Sequence, residues 1–365
     1  MIEYRTDPIY RKIYSVDASI FEVEPMGVAF PKNKDELLSV LKTAAENQIS
    51  VIPRGAATGI TGGCLGNGII IDLSRYMNHI IEINYEEEYA ICQPGVIQDQ
   101  LNEALAARGY RLGPETSTGN RATLGGMVAN NSAGSHSMRY GCMLDHVISV
   151  EAALAGGHLV ELHSLSDEEI QKKCEKNDLE GSIYRTVMDI RTSCRDEIER
   201  HFPKIPRRVS GYNLNTLIEK KALNLSNLFV GSEGSLGIAT GIKVKIVKKH
   251  QSSSVCLLHF SDMIEAMRHL EFMLSFQPIA LEMIDEKIIA MARLSPTAKT
   301  KLGWLVGTPQ AVFAAEFDQI DQMHADAAQH GIVHFQLKLL QQMLAPERLV
   351  QHRQAAAFQL AQVLH

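Results

Sequence analysis

The chain has 365 residues, 45% hydrophobic and 21% charged, with 36 basic residues against 42 acidic ones and a net charge of −6. That length suffices for two or three domains, each with its own core. The charge balance supplies no basic field for nucleic acid, and no apolar run approaches a membrane span. The charged start MIEYRTDPIYRKIYS lacks the apolar core of a secretory signal, so a cytoplasmic protein is expected. Six scattered cysteines without a C-x-x-C pair read as free thiols. None of 14 histidines falls in H-x-H or H-E-x-x-H, so no metal site is expected.

DELLSVLKTAAENQ, residues 35–48, has apolar positions at helical spacing and runs into the strand-like SVIPRG. A glycine-rich loop follows, and then GIIIDLSRYMNHIIEINYEEEYAICQPGV reads as successive short strands separated by turn residues. IQDQLNEALAARGY is a second amphipathic helix, and VISVEAALAGGHLVEL a hairpin turning at Gly156 and Gly157. Residues 164–202 are polar and helical, an expected insertion over the core. From about residue 253 a β-α-β pattern begins a second domain, with SSVCLLHF and PIALEM as strands and another strand-like stretch near KLGWLVGT. The final stretch, from LKLLQQML to the end, reads as helical.

Three small-residue stretches carry the chemistry. IPRGAATGITGG, residues 52–63, matches neither common nucleotide-binding glycine motif. It is either an elaborate turn or a nest of bare N–H groups around an anion, with Thr58 and Thr61 adding hydroxyls. ATLGGMVANNSAGSHSMRYG, residues 122–141, is too poor in large apolar groups for an efficient core and suits a polar ring system; tight packing is the competing reading. LFVGSEGSLGIAT, residues 228–240, reads as a strand, a glycine-rich turn holding Glu233, and a second strand: a site or a decorated hairpin.

In this order the stretches resemble the PCMH-type FAD-binding domain of the glycolate oxidase/D-lactate dehydrogenase (vanillyl-alcohol oxidase) superfamily. NNSAGSHSMRYG and PKIPRRVSGYNL resemble most the flavin domain of 2-hydroxyacid dehydrogenases fused to iron–sulfur modules. The resemblance implies an α+β fold: an N-terminal segment (1–24), a two-subdomain FAD-binding domain (25–250), and a partial, ferredoxin-like α+β substrate domain (251–365).

It also implies non-covalent FAD. Pro53, Arg54, Gly55, Ala56, Ala57, Thr58, Gly59, Ile60, Thr61, Gly62 and Gly63 would form the pyrophosphate loop. Pro114, Glu115, Thr116 and Ser117, with Leu124, Gly125, Gly126, Asn130, Asn131, Ser132, Ala133, Gly134, Ser137 and Tyr140, would line the diphosphate, ribityl chain and ring. Glu233, Gly237 and Ile238 would form the adenosine-side turn. Members with covalent FAD often carry a histidine in the loop; here there is none, and Cys64 is the one nearby nucleophile.

The implied reaction is hydride transfer from a D-2-hydroxyacid such as lactate, glycolate or 2-hydroxyglutarate. A substrate carboxylate asks for arginine, and Arg139, Arg207 and Arg208 are the candidates. Tyr140, Tyr212 and Asn213 are further substrate-contact candidates, and no base is assigned. The family's H-x-x-D-G-N-x-H stretch and the cysteine-rich motifs of the fused branch are missing. The chain therefore reads as the front of a longer protein, with an uncovered apolar sheet face and poor turnover alone. An electron acceptor or iron–sulfur partner and self-association are expected. The alternative is a non-catalytic flavin subunit that passes electrons within a complex.

Overall fold

Two largely apolar runs, Gly27–Phe30 (β2) and Ile69–Asp72 (β4), are buried almost throughout in the computed structural model of the chain. Such runs suit interior parallel strands covered on both faces. The structure describes residues 2–205, 207–219, 222–249 and 253–317, and the backbone of 356–358. It divides into two compact units, residues 1–134 with 140–249, and residues 135–139 with 250–365.

In the first unit, β1 (Glu3–Arg5), β2, β4 and β3 (Val51–Arg54) form a sheet in that order. β1 is antiparallel to β2, and β2 and β3 run parallel to β4. Helix α1 (Pro8–Ile13) covers one face, where Tyr10 and Tyr14 pack edge-on against Phe30. Helix α2 (Lys34–Glu46), capped by Asn33, covers the other with Leu37, Leu41 and Ala44, the i, i+4, i+7 stripe of its sequence. Leu37 and Leu41 meet Ile71, Leu73 and Met77, and also Ala153 and Ile238 from a second sheet.

That sheet orders β5 (Ile80–Asn84), β6 (Tyr89–Cys92), β12 (Ile238–Lys248), β8 (Val147–Leu154) and β9 (His158–Leu162), with β7 (Tyr110–Leu112) pairing the end of β12. The β8–β9 hairpin turns at Gly156 and Gly157, both with φ near +80°. Helices α3 (Gln98–Ala106) and α4 (Leu124–Ala129) pack on it through Leu101, Leu105, Leu124 and Met127.

The polar region after β9 is more than a cover. β10 (Ser164–Leu165) pairs with β11 (Leu223–Asn224), and helices α5 (Asp167–Glu175), α6 (Leu179–Ser193) and α7 (Arg195–His201) follow β10. Ile170, Tyr184 and Val187 enter the main core, so one buried stripe among many charges integrates this region. Residues 226–229 form a helical turn where a strand is expected from sequence, because Asn224 Oδ1 accepts the Ser226 N–H and turns the chain.

In the second unit, β14 (Ala280–Asp285), β15 (Ala311–Phe317) and β13 (Ser254–Phe260) form an antiparallel sheet, with β16 (Ala356–Phe358) parallel to β13. The strand expected near KLGWLVGT lies instead at β15. Gly307 (φ 65°) and Pro309 break the earlier stretch, and Trp304 and Leu305 pack beneath the sheet. Leu258, Phe260, Phe313 and Phe317 face helices α8 (Met263–Arg268) and α9 (Leu270–Ser275). Leu257 and Val312 face α10 (Glu286–Leu294) through Ile289. Both faces thus carry apolar clusters, correcting the expectation of a bare sheet face. The helix expected over the final stretch lies outside the described residues, except at 356–358, where the backbone is a strand. Among the described residues, no helix is long and apolar enough to cross a membrane.

Candidate FAD site

β3 and β4 end side by side at Arg54 and Asp72, and the glycine loop leaves from that edge. It forms one wall of a cleft in the first unit with about 1230 Å³ of space, including its open mouth. Among the described residues, no backbone N–H from 55 to 63 donates a hydrogen bond to a protein acceptor. Unpaired backbone donors are costly when left dry, and a row of them beside a cleft is an anion-binding surface.

Glycine serves a second need here. A methyl group at Gly55 would stand 2.1 Å from Thr123 Oγ1, so only a bare Cα lets the loop meet the start of α4. Thr123 in turn caps α4 by accepting the Gly126 N–H. The turn before β12 adds Ser232, Glu233, Gly234, Gly237 and Ile238 to the lining. Ser232 is buried and its hydroxyl has no protein partner, as expected of a wall awaiting a polar ligand.

Cleft electrostatics come from few side chains. Arg54 is only 8% exposed, and its guanidinium donates to the carbonyls of Tyr14 (3.1 Å) and Val16 (2.8 Å). Any diphosphate would therefore meet neutral N–H donors and the hydroxyls of Thr58 and Thr61 rather than this cation. Burial opposes ionisation of Asp17, but hydrogen bonds from Ser19 prevail and hold its carboxyl below the usual range. Burial pushes the Cys64 thiol up to about 11, and it hydrogen-bonds Asp17 at 3.5 Å.

Of the residues singled out in sequence, Pro53, Arg54, Gly55, Ala56, Ala57, Thr58, Gly59, Thr61, Gly63, Thr116, Gly125, Gly126, Asn130, Ser132, Glu233, Gly237 and Ile238 line this cleft. The others stand elsewhere. Ile60 and Ser117 are exposed, while Pro114, Leu124 and Ala133 are buried. A methyl at Gly62 would meet Phe21, and one at Gly134 the Glu115 carbonyl. Glu115 pairs with Arg111, whose guanidinium lies 5.5 Å over the Tyr140 ring. Asn131 is buried, donating to the Arg208 carbonyl and accepting the Leu144 N–H. Ser137 and Arg139 belong to the second unit.

The substrate-contact candidates do not line the cleft. The Asn213 amide donates to the carbonyls of Asn227 (3.2 Å) and Val230 (2.8 Å). Arg208 donates to the Pro203 carbonyl and stacks on Phe202, Tyr212 bonds Ser235, and Arg207 is exposed. Sequence reading missed Asp17, Pro94, Thr118, Thr123 and Ser232 on the cleft wall. Thr123 had a usable signal, a threonine directly before a helical run. Among the described residues, no group of three His, Cys, Asp or Glu side chains could hold a metal.

Residues 25–163 match a family model described as an FAD binding domain. The D-2-hydroxyglutarate dehydrogenase of Escherichia coli K12 is 36% identical over 288 residues, covering 78% of this chain and 28% of that protein. The Pseudomonas putida protein of the same name is 33% identical over 286 residues, covering 77% and 28%. The glycolate oxidase subunit GlcD of Bacillus subtilis is 29% identical over 280 residues, covering 76% and 49%. This chain thus spans little more than a quarter of the dehydrogenases. A solved alkyldihydroxyacetonephosphate synthase shares the fold, with a TM-score of 0.63 at 17% identity over 92% of this chain and 58% of that one. Residues 25–163 are an FAD binding domain, and the chain that carries them is a homologue of the D-2-hydroxyglutarate dehydrogenases, the glycolate oxidase subunit and the D-lactate dehydrogenases.

Proposed function

We propose that the chain holds FAD non-covalently in the cleft, with the diphosphate on the N–H groups of residues 55–63. It would serve as the flavin-bearing part of an oxidoreductase acting on a D-2-hydroxyacid such as lactate, glycolate or 2-hydroxyglutarate. The row of N–H groups without protein acceptors carries this reading. When bound, FAD supplies the hydride acceptor. The chain's own residues would bind and orient it: Thr58 and Thr61 add hydroxyls to the backbone donors, and Ser232 offers one from the turn before β12. A protonated Cys64 favours a dissociable cofactor, because the thiolate is the attacking form. The reading takes residues 25–250 as the flavin domain and 251–365 as the start of a ferredoxin-like substrate domain. It brings an electron acceptor, an iron–sulfur protein or domain, and a cytoplasmic setting.

The purified protein should be yellow with one FAD per chain, and acid precipitation should leave the colour in the supernatant. Colour in the pellet would refute non-covalent binding, and equal affinity for FMN would remove the diphosphate from the site.

The placement of Arg208, Tyr212 and Asn213 favours a second reading, an electron-transfer subunit without its own substrate chemistry. General-base catalysis is typically worth ~10²- to 10⁴-fold, so the chain alone should reduce its flavin slowly with any of the three acids. Rapid anaerobic bleaching of the oxidised flavin band would reject this second reading.

A further inference from the structure

The matched FAD binding domain begins at residue 25, yet Asp17 lines the cleft. The preceding segment is fastened to the glycine loop at both of the loop's ends and near its middle. We infer that residues 14–21 are a strap that shapes the glycine loop for the FAD diphosphate, with Arg54 as its tie. This rests on the FAD reading above and adds a positioning role for a segment outside the family match.

At the loop's entry, Arg54 is nearly buried at the end of β3, with its guanidinium 4.8 Å over the Tyr14 ring. Its two terminal nitrogens hold the carbonyls of Tyr14 and Val16. The Tyr14 hydroxyl donates to Asp72 Oδ2 at 2.5 Å, and Asp72 is the neighbour of Arg54 across the β3–β4 register. The strap is therefore fixed to both strands at the edge from which the loop departs. Near the middle of the loop, the Ala18 N–H donates to the Ala57 carbonyl at 3.1 Å. Ala57 has φ 54°, a left-handed conformation that costs a non-glycine residue and persists only where neighbours impose it. Further on, Phe21 stands where a side chain at Gly62 would begin, and Cys64 hydrogen-bonds Asp17.

The pattern of donors gives these contacts a functional sense. The strap takes a loop carbonyl and the Arg54 side chain but none of the loop's N–H groups. The donors of the loop residues that line the cleft are left for an anion, in a loop already held in shape. Preorganisation of this kind raises affinity by removing the ordering cost from the binding step.

The test measures FAD dissociation constants by fluorescence titration of the apo-protein, with amide hydrogen exchange on the same samples. Arg54→Met removes the tie and Phe21→Ala removes the contact at Gly62. Arg75→Met is the control, since Arg75 stacks on Phe30 and pairs with Glu3 but touches no loop residue. Arg54→Met should weaken FAD binding about tenfold or more, as expected for loss of charge-assisted hydrogen bonds. Phe21→Ala should weaken it by about threefold, an energy at the low end of what one hydrogen bond contributes. Arg75→Met should leave it unchanged. In both strap variants the Ala18 amide should exchange faster while amides of β2 and β4 keep their protection. If Arg54→Met does not fold, Phe21→Ala decides alone. Unchanged affinity in the variants, beside an unsubstituted protein that binds FAD, would overturn the strap and spare the FAD reading. An unsubstituted protein that binds no FAD overturns both.

Discussion

The glycine loop at 53–63 and the segment at 207–213 both resemble flavin-side motifs, yet the structure uses them in opposite ways. Most of the loop lines a cleft, and among the described residues its backbone donors have no protein acceptor. In the second segment Arg208, Tyr212 and Asn213 are engaged with their own surroundings, Asn213 most completely. A loop that works through its backbone can be read from composition, because only glycine and small residues permit the geometry. A polar side chain cannot be read so simply, because any buried amide needs partners and the fold can supply them as well as a substrate can.

Substitution at Gly55 tests the first half of this contrast and should give the largest effect. Gly55→Val would drive a side chain into Thr123, which stands 2.1 Å from the added carbon. FAD occupancy, read from the flavin-to-protein absorbance ratio, should fall to background. The matched control is Gly156→Val in the β8–β9 turn, where φ is 78° but the nearest contact is His158 at 3.4 Å. That variant should lose about 1–3 kcal/mol of stability from backbone strain and keep its FAD. Equal occupancy in the two proteins would mean that the loop is only a turn.

Asn213 tests the other half. Asn213→Ala leaves the buried carbonyls of Asn227 and Val230 without their donor, at a cost of about 2–4 kcal/mol. The apo-protein should therefore melt several degrees lower. A variant with an unchanged melting temperature but altered flavin reduction would place Asn213 against the substrate and reverse this side of the contrast.

The same physics marks how far the sequence was legible. α2 and α3 follow their apolar stripes, and the buried strand β4 follows its apolar run, while the short strand β2 was not read at all. The β8–β9 turn follows two glycines that both adopt positive φ. The helical turn at 226–229 was hidden because four residues show no period, and a side-chain bond from Asn224 decides the local geometry. The strand at β15 was hidden by alanine, a residue of low strand preference that fits here because Phe313 and Phe317 fill the layer beside it. In the site, the loop glycines and the Glu233 turn were legible as sequence patterns. Asp17 was not, since a long-range contact with Cys64 accompanies this ordinary polar residue at the cleft wall.

Cys64 sharpens the comparison most gently, because it reports on the loop without altering its backbone. Its thiol lies beside Asp17 at the loop's far end, and burial holds it protonated up to about 11. Alkylation requires the thiolate, so at pH 8 iodoacetamide should modify Cys64 about a hundredfold more slowly than an ordinary thiol. The direction follows from the raised value. As pH climbs from 8 toward 11 the thiolate fraction grows about tenfold per unit, and the rate should grow with it. Peptide mapping separates Cys64 from Cys92 and Cys256, whose thiols burial pushes up to about 12. Saturating FAD should then slow the reaction at pH 10, because the thiol lines the same cleft as the glycine loop. Fast labelling at pH 7 would mean that Cys64 is exposed as thiolate, and would restore it as a point of covalent flavin attachment. Labelling that ignores FAD at every pH would detach the cleft from the cofactor, leaving the unpaired N–H groups of residues 55–63 without the ligand assigned to them.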